Sequence, residues 1–153
     1  MQFPRLLVAL VALIATGVMG LAQAADGLVV TRSPMPAKAT ADRFEEVVKA
    51  RGLTVFARID HAAGAAKVGK TLRATELIIF GSPQAGTPFM ACEQTVGIDL
   101  PLKLLVWEDA QAQVWVGYND PAWLAARHAA STCPVVENLR KALSGLVQAT
   151  VAP

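Results

Sequence analysis

The stretch from Leu72 to Tyr118 limits this chain more than any other. It contains Leu77-Ile78-Ile79-Phe80, an apolar run without alternation that Gly81 closes. So short a run, in β-forming residues, reads as a strand, and the lack of alternation predicts cover on both of its faces. Leu102–Glu108 and Gln113–Tyr118 follow, joined by Asp109-Ala110-Gln111-Ala112, which predicts a hairpin with a four-residue connection. Trp107, Trp115 and Tyr118 give this hairpin an aromatic surface. A chain with this centre must build a sheet, and the flanking segments must cover it.

The flanks have the required patterns. Ala37–Arg51 places Ala41, Phe44, Val47 and Val48 on one helical face, pairs Glu45 with Lys49 at i,i+4, and ends at Gly52. Asp120 and Pro121 form a helix start, cap followed by proline, for a helix to about Ala130. Pro134–Val147 carries the stripe Val136, Leu139, Leu143 and Leu146 or Val147. Leu28–Arg32 and Leu53–Ile59 read as strands, and Ala62–Val68 as one or two helical turns. Ser82 and Pro83 start a helix that Gly86 and Pro88 should keep short, and Phe89–Gln94 fits a further turn or two. The expected fold class is α+β: a single domain with a mostly antiparallel five-stranded sheet and helices packed mainly on one face.

The first residues set the compartment. Arg5, the apolar run Leu6–Ala15 and the small-x-small site Ala22-Gln23-Ala24 have the layout of a secretory signal cleaved after Ala24. The competing reading is a membrane anchor, but the fully apolar run is about half the ~20 residues that span a bilayer. Residues 1–24 are therefore expected to be a signal peptide and 25–153 the domain, in a bacterial periplasm or secreted. Loss of Arg5 lowers the formal charge of +2 by one. With no Lys/Arg cluster in the chain, neither nucleic acid nor an anionic membrane is an expected partner of the mature form. Cys92 and Cys133 form a disulfide in an oxidising compartment or remain two buried thiols; their spacing is far from CxxC or a zinc pattern.

Several residues invite chemical readings. Gly81-Ser82-Pro83-Gln84-Ala85-Gly86-Thr87 matches part of a phosphate loop, but Thr87 and Pro88 stand where Lys and Ser or Thr are needed, so the loop is read as a turn between layers. Asp60, His61, Glu76 and Asp99 include metal-ligand types, yet nothing in their spacing demands convergence. His61 reads as a strand-end residue bonded to backbone, and His128 as solvent-facing or part of a packed seam. No serine lies in GxSxG. Cys92 with a histidine would make a thiol–imidazole pair only if it escaped a disulfide. Glu108 and Asp109 mark a hairpin corner rather than an acid/base pair. Trp107, Trp115 and Trp123 read as core or interface, with a small-molecule pocket as the alternative.

The blocks FARIDHAAGAAKVG, LRATELIIFGSPQAGTPFM, IDLPLKLLVWED and VWVGYNDPAWLAARH, in this order over about residues 53–128, resemble the bacterial domain of unknown function family numbered 302. The resemblance implies a small α+β domain that tends to form homodimers; it implies no established activity, cofactor or catalytic set. Cys92 and Cys133 lie outside the shared pattern. The leading expectation is a non-enzymatic module without cofactor or metal that binds a small molecule or a periplasmic protein. Its candidate site is the polar strand ends: Asp60, His61, Ser82, Thr87, Tyr118 and Asn119. The alternatives are a hydrolase or isomerase using His61 with Asp60 or Asp99, and a metal-binding or stress-related protein.

Overall fold

The computed structural model describes residues 25–153. The expected signal peptide lies outside the described residues.

Five strands form one antiparallel sheet: β1 (Leu28–Ser33), β2 (Thr54–Asp60), β3 (Thr75–Gly81), β4 (Leu102–Glu108) and β5 (Val114–Asn119), in the order β1-β5-β4-β3-β2. The helices are α1 (Ala37–Ala50), α2 (His61–Lys67), α3 (Pro83–Cys92), α4 (Pro121–Arg127) and α5 (Val135–Val151), with a 3-10 turn at Gln94–Ile98. The α+β class and the five-stranded antiparallel sheet are as the sequence predicts.

Alternation decides which face is covered. Ile78, Phe80, Leu102, Leu104, Val106, Val114, Val116 and Tyr118 are buried under the helices. Phe44 of α1 meets Phe80 edge-on at 5.0 Å between ring centroids. Leu139, Leu143, Leu146 and Val147 bring the stripe of α5 to the same core. Leu77, Ile79, Leu105, Trp107 and Trp115 occupy the opposite positions and are only half-buried. β3 is therefore not covered on both faces as its apolar run suggests. Its outward residues are shielded by neighbouring strands rather than by a second layer.

Local chemistry fixes the corners. Asp109 closes the β4–β5 hairpin: Oδ1 accepts from the backbone N–H groups of Gln111 (2.8 Å) and Gln113 (2.9 Å), and Oδ2 from the Trp115 indole (2.7 Å). These bonds, led by the indole, hold the Asp109 carboxyl below its ordinary range. Asp120 caps α4 through the Ala122 N–H, with Pro121 at the first helical position. α4 stops at Arg127, short of Ala130, because the chain turns through a positive φ at Ala129. α5 runs four residues past Val147, since Val151 still packs against the core. On the covered face Arg58 of β2 gathers Asp42 and Glu45 of α1 and Glu76 of β3.

Candidate functional site

One sheet end carries the site. The register puts Thr54 beside Gly81, Phe80 beside Leu102 and Leu28 beside Asn119, so these strand ends share one edge. β3 leaves the sheet at Gly81, and Ser82 in extended backbone caps α3: its Oγ accepts from the Ala85 N–H at 3.3 Å. Pro83 takes the first helical position. Pro88 does not end the helix, and the two short pieces expected from sequence are one helix of ten residues. What carries it past Pro88 is tertiary: Phe89 is fully buried in the core, and Cys92 is disulfide-bonded to Cys133 in the α4–α5 connection.

Between α3, the start of β4 and α5 lies a cavity of about 310 Å³. Gly81, Gly86 and Gly97 lie in its wall with Met90, Leu100 and Leu139. A Cβ at Gly86 would reach the Leu100 side chain at 3.5 Å, so the missing side chain contributes directly to the open volume. Phe56 joins the lining because the pairing of β2 with β3 shifts between Val55 and Ala57, a bulge that takes Phe56 out of strict alternation. Ser82 and Thr87 supply the hydroxyls of the lining, and the Ser82 oxygen is engaged as the helix cap. The half-open cavity presents apolar surface to a small apolar group but offers it few polar anchors.

The six residues expected to share a site do not share one. Ser82 and Thr87 line the cavity. Tyr118 faces a separate open cleft with Asp120, Glu137 and Arg140. Burial, and secondarily the Asp120 carboxylate, raises the Tyr118 phenol above its ordinary value. Asn119 is exposed at the end of β5, on the same sheet edge. Asp60 and His61 lie at the opposite edge, where Asp60 pairs with Glu76 and caps α2 through the Ala63 N–H. Strands of this length separate the two edges by roughly 20 Å, which removes the pairing of His61 with Asp99 and the convergence of Asp60, His61, Glu76 and Asp99. Among the described residues no group of three or more His, Cys, Asp or Glu side chains is placed to hold a metal. The glycine-rich turn, read from sequence as a device for redirecting the chain, forms part of the wall of the apolar cavity.

Asp99 has a different imidazole. His128 Nε2 lies 2.7 Å from Asp99 Oδ2, and Nδ1 lies 3.0 Å from Thr95 Oγ1. Thr95 spends its single hydroxyl proton on Glu93 Oε1 at 2.9 Å. Its oxygen is then left with lone pairs to face the ring. Arg127 brings its guanidinium to Asp99 at 3.2 Å. The Glu93 carboxyl is held below its ordinary value by the Thr95 backbone N–H first and the Thr95 hydroxyl second. With its proton directed away from the ring, Thr95 is not arranged as a nucleophile activated by His128. The cluster instead ties the turn after α3 to the end of α4, which makes His128 part of a packed seam, one of its two sequence readings. Trp107 and Trp115 lie on the open sheet face, and Trp123 packs against the backbone of Gly27; none of the three lines the cavity.

The fold and this cavity define a small α+β domain with a walled apolar chamber at one sheet end. The chain belongs to the family described as "Domain of unknown function DUF302", whose model matches residues 29–147. Its fold is that of an uncharacterized conserved DUF302 protein from Bacillus stearothermophilus: the crystal structure of that protein superposes with a TM-score of 0.75 at 18% identity, over 82% of this chain and 99% of that one. The chain is also 48% identical over 103 residues to a protein named fluoride-specific ion channel FluC 1 from Brucella suis, and equally to one named FluC 2 from Brucella melitensis. Those 103 residues are 67% of this chain but 41% and 38% of the two relatives, so the chain spans about two fifths of their length. No helix among the described residues is long and apolar enough to cross a membrane.

Proposed function

We propose that this protein is a non-enzymatic binding module whose α3 cavity takes a small apolar molecule. The observation that supports this reading is the chamber itself, about 310 Å³ walled by three glycines and apolar side chains, at the lower end of ordinary ligand-site volumes. A neutral apolar dye that fluoresces when desolvated, such as N-phenyl-1-naphthylamine, tests it. The dye should bind the wild type and not Gly86→Leu, whose side chain occupies the chamber. Equal dye binding by both proteins would place the ligand elsewhere.

The proposed module works outside the cytoplasm after cleavage at Ala24, which rests on Arg5, the apolar run and Ala22-Gln23-Ala24. N-terminal sequencing of protein recovered from the bacterial periplasm should begin at Ala25. It pairs with a second copy through the open sheet face, where Trp107, Trp115, Leu105, Leu77 and Val30 adjoin. Five strands at about 4.8 Å spacing and roughly 20 Å length give about 480 Å² of flat area. Side-chain relief raises that toward the roughly 800 Å² per partner of a stable interface. Trp107→Glu should convert a dimer to a monomer in sedimentation; an unchanged species would discard this assembly.

A second reading comes from the relatives named as fluoride channels. It makes the domain an accessory to fluoride handling in the cell that carries it. A deletion strain of ordinary fluoride tolerance would remove it.

A further inference from the structure

We infer that the molecule held in the α3 cavity is a single-chain amphiphile with an anionic head, a medium-chain carboxylate whose hydrocarbon fills the chamber and whose head meets Lys103. This rests on the reading of the cavity as a ligand site and adds the ligand's chemical class.

Lys103 is half-buried on β4, on the sheet face opposite Leu102 and Leu104, and its side chain reaches back to the segment that precedes the strand. Nζ donates to the backbone carbonyls of Asp99 at 2.9 Å and Pro101 at 3.1 Å, and Pro101 lines the chamber. An ammonium carries three N–H donors, so one is left over. Among the described residues the acidic side chains make their ion pairs with Lys38, Lys49, Arg58, Arg127, His128, Arg140 and Lys141, and none with Lys103. Asp99 gives Lys103 its carbonyl but commits its carboxylate to Arg127 and His128. A half-buried cation with two neutral acceptors and no counter-charge is bonded to Pro101, which lines the apolar cavity. A carboxylate head supplies the missing charge, while a neutral head leaves it missing and a cationic head repels it.

The chamber limits the tail. At protein packing density a methylene takes about 25 Å³, so the volume suits one chain of roughly twelve carbons and is too small for a two-chain lipid. Among the lining residues the apolar side chains Phe56 (54% exposed) and Met90 (36%) remain partly in water. A tail leaving the chamber toward its head would cover them in part.

The experiment displaces N-phenyl-1-naphthylamine from the full chain with straight-chain carboxylates and the matching primary alcohols, each below its micellar concentration at pH 8. Carboxylates should tighten about fourfold per methylene, as burial of a CH₂ requires, and level off at about twelve carbons. They should displace the dye about tenfold better than alcohols of equal length. Lys103→Met should erase that preference with dye affinity intact, and Lys103→Arg should retain it. Equal displacement by both series, or a preference that survives in Lys103→Met, overturns the assignment of the head while dye binding blocked by Gly86→Leu still upholds the cavity. No dye binding to the wild type, or equal binding to wild type and Gly86→Leu, overturns both.

Discussion

Removing the Cys92–Cys133 cross-link should lower thermal stability by more than any surface substitution. The two residues are separated by 41 positions, with Cα atoms 5.9 Å apart, within the ordinary range for a disulfide. In the chain-entropy treatment, closing a loop of this length removes about 13 cal/mol/K from the unfolded ensemble, or about 3.9 kcal/mol at 25 °C. A domain of roughly 130 residues has an unfolding entropy of about 0.27 kcal/mol/K near its midpoint, so the loss corresponds to a Tm about 14 °C lower. The substitution is Cys92→Ala with Cys133→Ala, since alanine leaves no hydroxyl in the buried Cys133 site. Melting followed by circular dichroism, with and without an excess of a dithiol reductant, reads the result. Reduced wild type should fall nearly as far as the double variant. A double variant melting within about 3 °C of oxidised wild type would refute the reasoning, because the constraint on the unfolded chain would then contribute little.

Phe44→Ala removes a fully buried ring that meets Phe80 edge-on, and should cost about 3–5 kcal/mol in denaturant unfolding at an unchanged m value. Arg58→Met leaves Asp42, Glu45 and Glu76 facing one another without their shared cation, and should cost roughly 1–2 kcal/mol, less at high salt, in urea unfolding at two ionic strengths. The Asp109 carboxyl is held low in the folded protein by the Trp115 indole and the turn amides, so its contribution is present above the unfolded carboxylate value and is lost as pH falls through the lower folded value. The Trp115 indole N–H resonance should therefore stay put from neutral pH through about pH 4 and move only below it, and Asp109→Asn should flatten that titration.

The order and type of nearly all elements were legible because they depend on local chemistry. Asp120-Pro121 starts a helix, Asp109 turns a hairpin and the stripe of α5 buries itself for reasons contained in a few consecutive residues. The structure departs from local preference where distant contacts overrule it. Pro88 should shorten a helix, yet Phe89 and the disulfide carry α3 through it. Leu77 and Ile79 looked like residues under a second layer, but their cover is the neighbouring strands.

The candidate site was half legible. Ser82 and Thr87 stand out in the sequence as polar residues at a strand end and turn, and both line the cavity. Nothing in the sequence shows that Phe56 sits at a bulge, that Leu139 arrives from a helix fifty-odd positions on, or that Asp99 meets His128 rather than His61. By itself the sequence determined the strands, most of the helices and the turn residues, since propensity, capping and alternation act within a few residues. Only the tertiary structure decided which strand ends share an edge. In an antiparallel sheet successive strand ends fall on opposite edges, so Asp60 and Gly81 lie a strand length apart while residues remote in sequence close around one chamber.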